Sequence, residues 1–406
     1  MTRVYRNSTE VGELHGFPVY MNDIVDACLA GKLNLFLQGD TGSGKTQLAR
    51  DMMSYFPEKS LFILGRNDMD TRELFQQINP EFFDAVRKGK NIQGLEAKQL
   101  TDAVHYNLIV VDELPNCVPA VRAQLFNLFD GFIEINGKPY PIGNGYSVGI
   151  GTGNIGQQFT ESSNELGRAL KDRMHVILDV DYFFPKPSDT LEILASSTNP
   201  RVEFNTNENE GRQFIKENQE LAEKPVSLEK LIIANYLLHG LDYCNQGQSK
   251  REMKSAWPNQ VTAHGAGSDE ALVLPASPRA AKSIIRLSQA LDEIAKRKGA
   301  TEEDIESGSL NSMMMAYKLV SAYSGILNEA MVQNVYNGNH YSALNAAITA
   351  TKGEFDRNKD KIMAGLEMVK SMKRDDKTIS RFAGRWKFMR NTLDYLLDKQ
   401  KREEKK

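Results

Sequence analysis

The sequence predicts an α/β fold, with a parallel sheet in the first part of the chain and helices in the remainder. Short apolar runs typical of buried strands alternate with amphipathic helical segments up to about residue 180. The runs are apolar throughout, which is typical of strands covered by helices on both faces. After about residue 185 the strand pattern stops. This alternation predicts a doubly wound parallel sheet.

Five apolar runs are the candidate strands of this sheet. They lie at 33–37, 61–64, 108–111, 146–151 and 176–180. Helical periodicity predicts helices at 22–30, from residue 45 onward, and at 121–129. Two further short strands, at 132–135 and 138–142, flank Asn136-Gly137. That dipeptide is typical of a two-residue β-hairpin turn, so a hairpin is expected there.

A chain of 406 residues is longer than one hydrophobic core usually serves. The pattern predicts an N-terminal arm at 1–20, an α/β core at 21–185, a helical lid at 186–300 and a helical C-terminal domain at 301–406. Within the lid, residues 244–276 are rich in Gly, Asn, Gln and Ser, which is typical of an insertion. The C-terminal domain should hold helices at about 310–336, 341–372 and 378–402.

Composition excludes some classes of function. A net charge of −3 and a pI near 6.2 argue against a strong, non-specific nucleic-acid binder. Neither an apolar leader nor a run of 18 apolar residues is present, so a cytoplasmic protein is expected. Three widely spaced cysteines and six histidines without ligand spacing indicate a reducing compartment and no zinc site.

Residues 39–46 read GDTGSGKT, a full match to the phosphate-binding P-loop. Glycines let backbone N–H groups turn toward phosphates, and the following helix directs its positive end at the same anions. The predicted ATP-binding residues are Gly39, Asp40, Thr41, Gly42, Ser43, Gly44, Lys45, Thr46 and Gln47. Lys45 should reach the β- and γ-phosphates, and the Thr46 hydroxyl should bind Mg²⁺. A glycine-rich turn without function is disfavoured by the predicted strand and helix on either side.

A second motif, LIVVDE at 108–113, ends an apolar strand in two carboxylates. In a parallel sheet both would lie at the carboxyl edge, where ligands of α/β proteins bind. Asp112 is expected to hold Mg²⁺ and Glu113 to polarise the attacking water. Many strands end in acidic residues, and the position after the P-loop favours the catalytic interpretation.

Asn154 follows the next predicted strand, in the sequence GTGN. Its neutral amide could place the lytic water between Glu113 and the γ-phosphate. Considered alone, an Asn in a glycine-rich segment is more often part of a turn. The preceding P-loop favours the catalytic role.

Residues 20–290, about two thirds of the chain, resemble AAA+ ATPases of the MoxR and dynein-related group. Within the group the sequence is most similar to the branch of CbbQ-, NorQ-, CobS- and GvpN-like proteins. Besides the two nucleotide motifs, the matching segments are DTREL at 70–74, FDGFIEINGKPYPI at 129–142, GTGN at 151–154, ALKDRMHVILDVDY at 169–182 and SPRA at 277–280. Met174 departs from the usual Phe, Gln76-Gln77 replaces the common Leu-Gly, and the region after residue 310 matches no family that we can name.

The resemblance adds two candidate arginines. Arg173 matches the arginine finger that reaches a neighbouring subunit's ATP, although Arg168 lies close enough to take that role. A surface salt bridge is the commoner fate of such an arginine. Arg279 matches the sensor-2 arginine, and Ser277 and Pro278 place it at a predicted helix start.

The resemblance implies an ATP hydrolase that forms a ring, in the usual case a hexamer, and remodels a protein partner. In the group that partner is often a von Willebrand factor A-type protein. A DNA-directed motor such as a helicase, loader or packaging ATPase is the alternative. Only Lys138 is basic in the predicted hairpin, which favours a protein client. A P-loop scaffold that binds ATP without hydrolysing it is disfavoured because Glu113 is present.

Overall fold

The protein is described by a computed structural model that covers residues 9–66, 76–91, 93, 98–135, 138–154, 173–183, 186–195, 208–244, 248–253, 256–257 and 269–403. The chain forms two compact units. The first consists of Met1–Gly12 and Pro18–Glu220, and the second of Glu13–Phe17 and Leu221–Lys406. The chain therefore passes between the units three times. The domain boundaries expected from the sequence stay predictions.

The first described element is a two-stranded hairpin where the sequence predicts an extended arm. Strand β1 (Glu10–Leu14) pairs with β2 (Phe17–Tyr20), and helix α1 (Met21–Gly31) follows directly. The Asp23 carboxylate accepts a 2.7 Å hydrogen bond from the Tyr20 N–H, which satisfies a backbone donor at the helix start. Helix α1 ends at Lys32, which adopts a left-handed conformation.

The described α/β unit continues with nine strands and five helices. In chain order they are β3 (Leu35–Gln38), α2 (Lys45–Met53), β4 (Ser60–Leu64), β5 (Gln76–Ile78), α3 (Pro80–Arg87), β6 (Lys98–Leu100), β7 (Leu108–Asp112), α4 (Pro119–Phe129), β8 (Phe132–Ile135), β9 (Lys138–Pro141), β10 (Val148–Gly153), β11 (Val176–Asp179), α5 (Pro187–Ala195) and α6 (Glu208–Glu223). A short 3₁₀ turn follows β7 at Leu114–Asn116.

Five of these strands form one parallel sheet in the order β11-β3-β10-β7-β4. Strands β5 and β6 form a separate antiparallel pair, and so do β8 and β9. Every residue of β3, β7 and β10 is buried, which explains why these strands lack polar alternation. The α/β fold with a parallel sheet is confirmed.

Strand β10 lies at the centre of the sheet and carries glycine at alternate positions. A Cβ on Gly149 would lie 2.1 Å from the Phe129 ring, and one on Gly153 would lie 2.3 Å from the Pro115 ring. Glycine is therefore needed for α4 and the turn after β7 to pack onto this strand. Close packing here brings the end of β10 to the end of β7.

The second unit is largely helical in its described part, as the sequence predicts. Its helices are α7 (Leu228–Asn235), α8 (Lys250–Met253), α9 (Asp269–Leu272), α10 (Pro278–Lys298), α11 (Glu302–Ser307), α12 (Ser309–Ser321), α13 (Glu329–Tyr336), α14 (His340–Arg357), α15 (Lys359–Lys370), α16 (Asp376–Ser380) and α17 (Phe388–Glu403). Helix α7 continues as a π-helical turn, Tyr236–Gly240. Among the helices of the described ranges, none combines the length and the apolar character that crossing a bilayer requires.

The three long C-terminal helices expected from periodicity are each interrupted, so that expectation is wrong. An asparagine side chain starts a new helix inside the first of them, where Asn328 Oδ1 accepts from Met331 N at 3.4 Å. Asn339 Oδ1 likewise caps α14 by accepting from Ser342 N at 2.9 Å, at the break that the sequence predicts between its first two helices. Such caps favour a helix start over continuation, which a count of apolar positions does not register. Residues 245–247, 254–255 and 258–268 of the predicted insertion at 244–276 lie outside the described residues.

A buried ionic network holds several segments of the second unit together. The Arg385 guanidinium donates to both carboxylate oxygens of Asp269, at 2.6 and 3.1 Å, and to the Tyr236 hydroxyl at 3.0 Å. The Glu270 carboxylate lies 3.6 Å from the same guanidinium. Both carboxylates are buried, so Arg385 supplies the charge that compensates their loss of water.

We expect Arg385→Ala to lower the free energy of unfolding of the second unit by about 3–5 kcal/mol, because it leaves Asp269 and Glu270 buried without this cation. The matched control is Arg374→Ala, since Arg374 is half exposed and pairs with Asp376 and Asp394 at the surface. That variant should lose less than about 1 kcal/mol. Urea unfolding followed by tryptophan fluorescence measures both, and equal losses would contradict the assignment.

Candidate nucleotide site

The loop between β3 and α2 has the backbone of a phosphate cradle. Gly39, Gly42 and Gly44 have positive φ angles of 153°, 84° and 85°, which residues with a Cβ rarely adopt. A Cβ on Gly39 would also lie 2.6 Å from Val180 Cγ2 and 2.9 Å from Asp181 Oδ2. The loop therefore passes close to the end of β11. Its glycines allow the positive φ angles, and Gly39 also allows the close approach to Val180 and Asp181.

Lys45 is the first residue of α2, and its side chain lies across the loop. Its Nζ donates to the carbonyl oxygens of Gly39 and Asp40 at 2.8 Å each and contacts Ser43 Oγ at 3.3 Å. The ammonium and the N–H groups at the start of α2 place positive charge at one point. This arrangement suits a bound anion such as a polyphosphate.

The neighbouring strands contribute two contacts to the loop. The Asp40 N–H donates to the Asp181 carboxylate at 2.5 Å, just after β11. The Asn154 amide, just after β10, donates to the Thr41 hydroxyl at 3.4 Å. Asn154 is thereby next to the P-loop, and its role in holding the lytic water stays a prediction. Asp181 is a loop-supporting residue that the sequence analysis missed.

The Asp112 carboxylate joins the P-loop helix to two strands of the sheet. Its Oδ1 accepts from the Thr46 hydroxyl at 2.8 Å and from the Thr152 hydroxyl at 2.5 Å. Asp112 is almost fully buried at the end of β7. Two hydroxyls therefore orient a carboxylate that lies beside the start of α2. The two residues expected to bind Mg²⁺, Thr46 and Asp112, are in direct contact.

Glu113 occupies a left-handed backbone conformation, with φ of 54°, immediately after β7. Its N–H donates to the Thr152 hydroxyl at 3.1 Å, and its Oε2 accepts from the Asn116 amide at 2.6 Å. Its neighbours Asp112 and Leu114 are buried, whereas Glu113 itself is exposed. The turn thus separates two consecutive acidic residues into one that faces the interior and one that faces solvent.

Gln47 lies in the first turn of α2, and its amide donates to Asp51 Oδ1 at 2.9 Å. Burial raises the pKa of Asp51 to about 6, because desolvation disfavours the carboxylate, and the hydrogen bond from Gln47 partly opposes this effect. The side chain of Gln47 therefore bonds along the helix. Its assignment to the nucleotide stays a prediction.

The two candidate arginines of the family resemblance lie elsewhere. Arg173 precedes β11, and its Nε donates to Asp130 Oδ2 at 2.8 Å. The Arg173 carbonyl oxygen accepts from the Asn34 amide at 3.0 Å, which places it at the amino edge of the sheet. Arg168 lies outside the described residues. Arg279 is the second residue of α10 in the second unit, and the Ser277 hydroxyl accepts from Ala280 N at 3.1 Å and caps the helix as predicted.

The structure thus brings the P-loop, Asp112, Glu113 and Asn154 together at the carboxyl edge of the sheet. Sequence reasoning missed Thr152, which is almost fully buried and contacts both acidic residues. It also missed Asn116, which bonds Glu113. The sequence does single out Thr152, because it is the one residue with a hydroxyl group in β10, a strand otherwise made of glycine and apolar residues.

We expect Thr152→Val to lower the free energy of unfolding by about 1–3 kcal/mol, because the buried Asp112 carboxylate loses a donor and the Glu113 N–H loses its acceptor. Thr152→Ser keeps the hydroxyl and should recover most of that loss. Urea titration of both variants checks the expectation. A serine variant as unstable as the valine variant would show that the methyl group, and not the hydroxyl, matters.

Residues 34–174 match the AAA domain of the dynein-related subfamily. A crystal structure from Cytophaga hutchinsonii, described as a "putative ATPase", is similar over 80% of this chain and 88% of its own, with 19% sequence identity and a TM-score of 0.50. At that identity the likeness shows the fold alone. No curated protein matches the sequence. Residues 34–174 are thus similar to a nucleotide-binding AAA domain, and the protein is an ATP hydrolase.

Proposed function

We propose that the protein works as a ring, with six subunits, in which Arg173 of each subunit completes the ATP site of its neighbour. One observation carries this proposal, namely the edge of the sheet at which Arg173 lies. Its carbonyl oxygen is bonded to Asn34, just before β3, whereas the P-loop begins at Gly39, just after β3. Five residues of extended chain span about 16 Å, at roughly 3.3 Å per residue.

That separation exceeds what an arginine side chain can bridge. Arg173 therefore lies too far from the P-loop of its own subunit to contact a bound γ-phosphate. An arginine that serves catalysis from this position must act on the site of another subunit. The AAA domain supports the same conclusion, because proteins that contain it typically form oligomeric rings.

Within one subunit, the residues at the carboxyl edge suit hydrolysis of the β–γ phosphoanhydride bond. The P-loop amides and Lys45 bind the phosphates, and Glu113 accepts the proton of the attacking water as its oxygen bonds to the γ-phosphorus. We assign Asn154, whose amide donates to the Thr41 hydroxyl at 3.4 Å, to holding that water. The role of Arg279 as the sensor-2 arginine stays a prediction from the family resemblance.

The oxygens of Thr46 and Asp112 fit Mg²⁺, since hydroxyl and carboxylate are hard ligands and the two lie 2.8 Å apart. When bound, Mg²⁺ would neutralise charge on the β- and γ-phosphate oxygens. The Thr152 hydroxyl, on the neighbouring strand β10, holds the Asp112 carboxylate in place. The residues at this edge are therefore suited to an ATP–Mg²⁺ complex.

The proposed client is a protein, and the proposed location is the cytoplasm. The β8–β9 hairpin is the element that we assign to the client, and Lys138 is its one basic residue in the sequence 132–141. A net charge of −3 gives no general attraction to nucleic acid. The resemblance of the sequence to MoxR-like ATPases favours a von Willebrand factor A-type protein as the partner.

We expect Glu113→Gln to retain ATP binding and to abolish turnover, because the amide cannot accept a proton from the attacking water. Lys45→Ala should lose both, since it removes the cation that contacts the phosphates. Binding of a fluorescent ATP analogue and release of phosphate measure the two properties separately. Turnover by the Gln variant at near the wild-type rate would show that another residue activates the water.

Saturating single- or double-stranded DNA should change the rate of ATP hydrolysis by less than about twofold. Contacts to several phosphates would instead cause affinity to fall steeply with added salt. The measurement is phosphate release with and without DNA at low and moderate ionic strength. A DNA-stimulated rate that collapses as salt is added would favour the DNA-directed motor over the protein-remodelling ATPase.

Arg173→Ala should nearly abolish hydrolysis while nucleotide binding persists, because an arginine finger raises kcat by a factor on the order of 10³–10⁵. Mixing this variant with Lys45→Ala should partly restore activity. Some interfaces of the mixed ring then pair an intact P-loop with an intact finger from the other variant. The measurement is phosphate release by each variant alone and by the mixture.

The outcomes of this mixing experiment separate the possible arrangements. A silent Arg173→Ala together with an inactive Arg168→Ala would move the finger five residues earlier and leave the ring in place. If both variants are silent and the protein hydrolyses ATP as a dilute monomer, the ring is excluded.

A further inference from the structure

The ion pair between Arg173 and Asp130 links the proposed finger to a second functional element. The Arg173 Nε lies 2.8 Å from Asp130 Oδ2, and the two side chains are 22% and 28% exposed. Asp130 follows the last residue of α4 and is separated from β8 by Gly131 alone. The carboxylate thus comes from the base of the β8–β9 hairpin.

The same two segments are tied together through their backbones. The Asn34 side-chain amide donates to the carbonyl oxygen of Phe129 at 2.6 Å and to that of Arg173 at 3.0 Å. Its oxygen accepts from the Gly149 N–H at 2.8 Å. This one side chain therefore connects the end of α4, the start of β10 and the segment before β11. Asn34 is buried, so these hydrogen bonds are shielded from water.

This anchoring lowers the loss of conformational entropy that the ion pair between Arg173 and Asp130 requires. An exposed pair between two mobile side chains contributes little, because both must lose conformational freedom. Here the backbones at Phe129 and Arg173 are already fixed to one buried side chain. The Asp130 carboxylate therefore acts on a guanidinium whose position is restricted before the pair forms.

Gly131, the residue after Asp130, closes the base of the hairpin through its backbone hydrogen bonds. The Ile142 N–H, which follows β9, donates to the Gly131 carbonyl oxygen at 3.0 Å and closes the hairpin at its base. Gly131 has a φ of 85°, and its N–H donates to the Leu128 carbonyl oxygen at 3.0 Å. Both ends of the hairpin thus meet next to Asp130.

We propose that Asp130 is a positioning residue for the arginine finger. Through Nε it fixes the plane of the Arg173 guanidinium at the hairpin base, and so sets how effectively Arg173 reaches the ATP of the next subunit. A planar guanidinium has a fixed fork of donors, so restraint at Nε orients the whole group. The inference rests on the proposed role of Arg173 and assigns that role a second residue.

The test begins with Asp130→Ala, with Asp130→Asn as the conservative variant. We expect Asp130→Ala to lower kcat about ten- to a hundredfold with less than a twofold change in KM for ATP. Asp130→Asn keeps an oxygen that can accept from Nε and should lose less. The matched control is Asp376→Ala, which removes an Arg374 Nε–Asp376 Oδ1 contact of the same 2.8 Å in the second unit. Its kcat should stay within twofold of the wild-type value.

Mixed rings give a measurement that a purely structural role would not change. Asp130→Ala mixed with Lys45→Ala should partly recover activity, because the intact Asp130 and Arg173 of the Lys45 variant can serve the intact P-loops of the other. Asp130→Ala mixed with Arg173→Ala should not recover, because both defects lie on the finger side of the interface. The melting temperature and the affinity for a fluorescent ATP analogue should match the wild type in Asp130→Ala.

The results distinguish failure of this inference from failure of the proposed function. If Arg173→Ala is inactive and is rescued by Lys45→Ala, but Asp130→Ala keeps the wild-type kcat, the ring stands and the positioning role is overturned. Rescue of Asp130→Ala by Arg173→Ala would likewise overturn it. If Arg173→Ala itself keeps the wild-type rate, the proposed role of Arg173 is wrong, and the positioning role of Asp130 is overturned with it.

Discussion

The nucleotide site depends on one buried carboxylate, that of Asp112. Its Oδ1 accepts hydrogen bonds from hydroxyls on the P-loop helix and on the neighbouring strand, Thr46 and Thr152. The Thr152 hydroxyl in turn accepts from the N–H of Glu113. Because the carboxylate is almost fully out of water, these donors offset part of its desolvation. The same contacts fix the P-loop helix, β7 and β10 relative to one another. The stability of the fold and the geometry of the site therefore depend on the same atoms.

The parallel order of the sheet separates the residues of the α/β unit into two edges. Residues that follow strands, such as Asn154 and Glu113, meet at the carboxyl edge around the P-loop. Arg173 precedes a strand and therefore lies at the amino edge, where the buried Asn34 amide binds its carbonyl oxygen. A single sheet thus carries the candidate nucleotide site at one edge and, in the proposed ring, a group for the neighbouring site at the other. The β8–β9 hairpin begins at that second edge, beside Asp130.

The second unit shows a different use of buried charge. Arg385 pairs with Asp269, and the buried Lys250 ammonium donates to the carbonyl oxygens of Asp269 and Val273 at 3.0 and 2.7 Å. Burial lowers the pKa of Lys250 to about 8, because desolvation disfavours the ammonium. These contacts connect segments that are distant in the chain and that contain only short helices. Such segments form few helical hydrogen bonds of their own, so side chains satisfy their backbone groups.

The sequence by itself determined the parallel α/β core, the P-loop and the acidic pair after β7, because local periodicity and spacing encode them. It also predicted the cap before Arg279, a contact between residues three positions apart. It did not reveal Thr152, Asn116 or Asp181, and it missed the additional breaks inside the predicted C-terminal helices. The strand order decided that Arg173 lies at the far edge of the sheet and that Asp130 and Asn34 meet it there. Those contacts join residues 43 and 139 positions apart, so only the tertiary structure could bring them together.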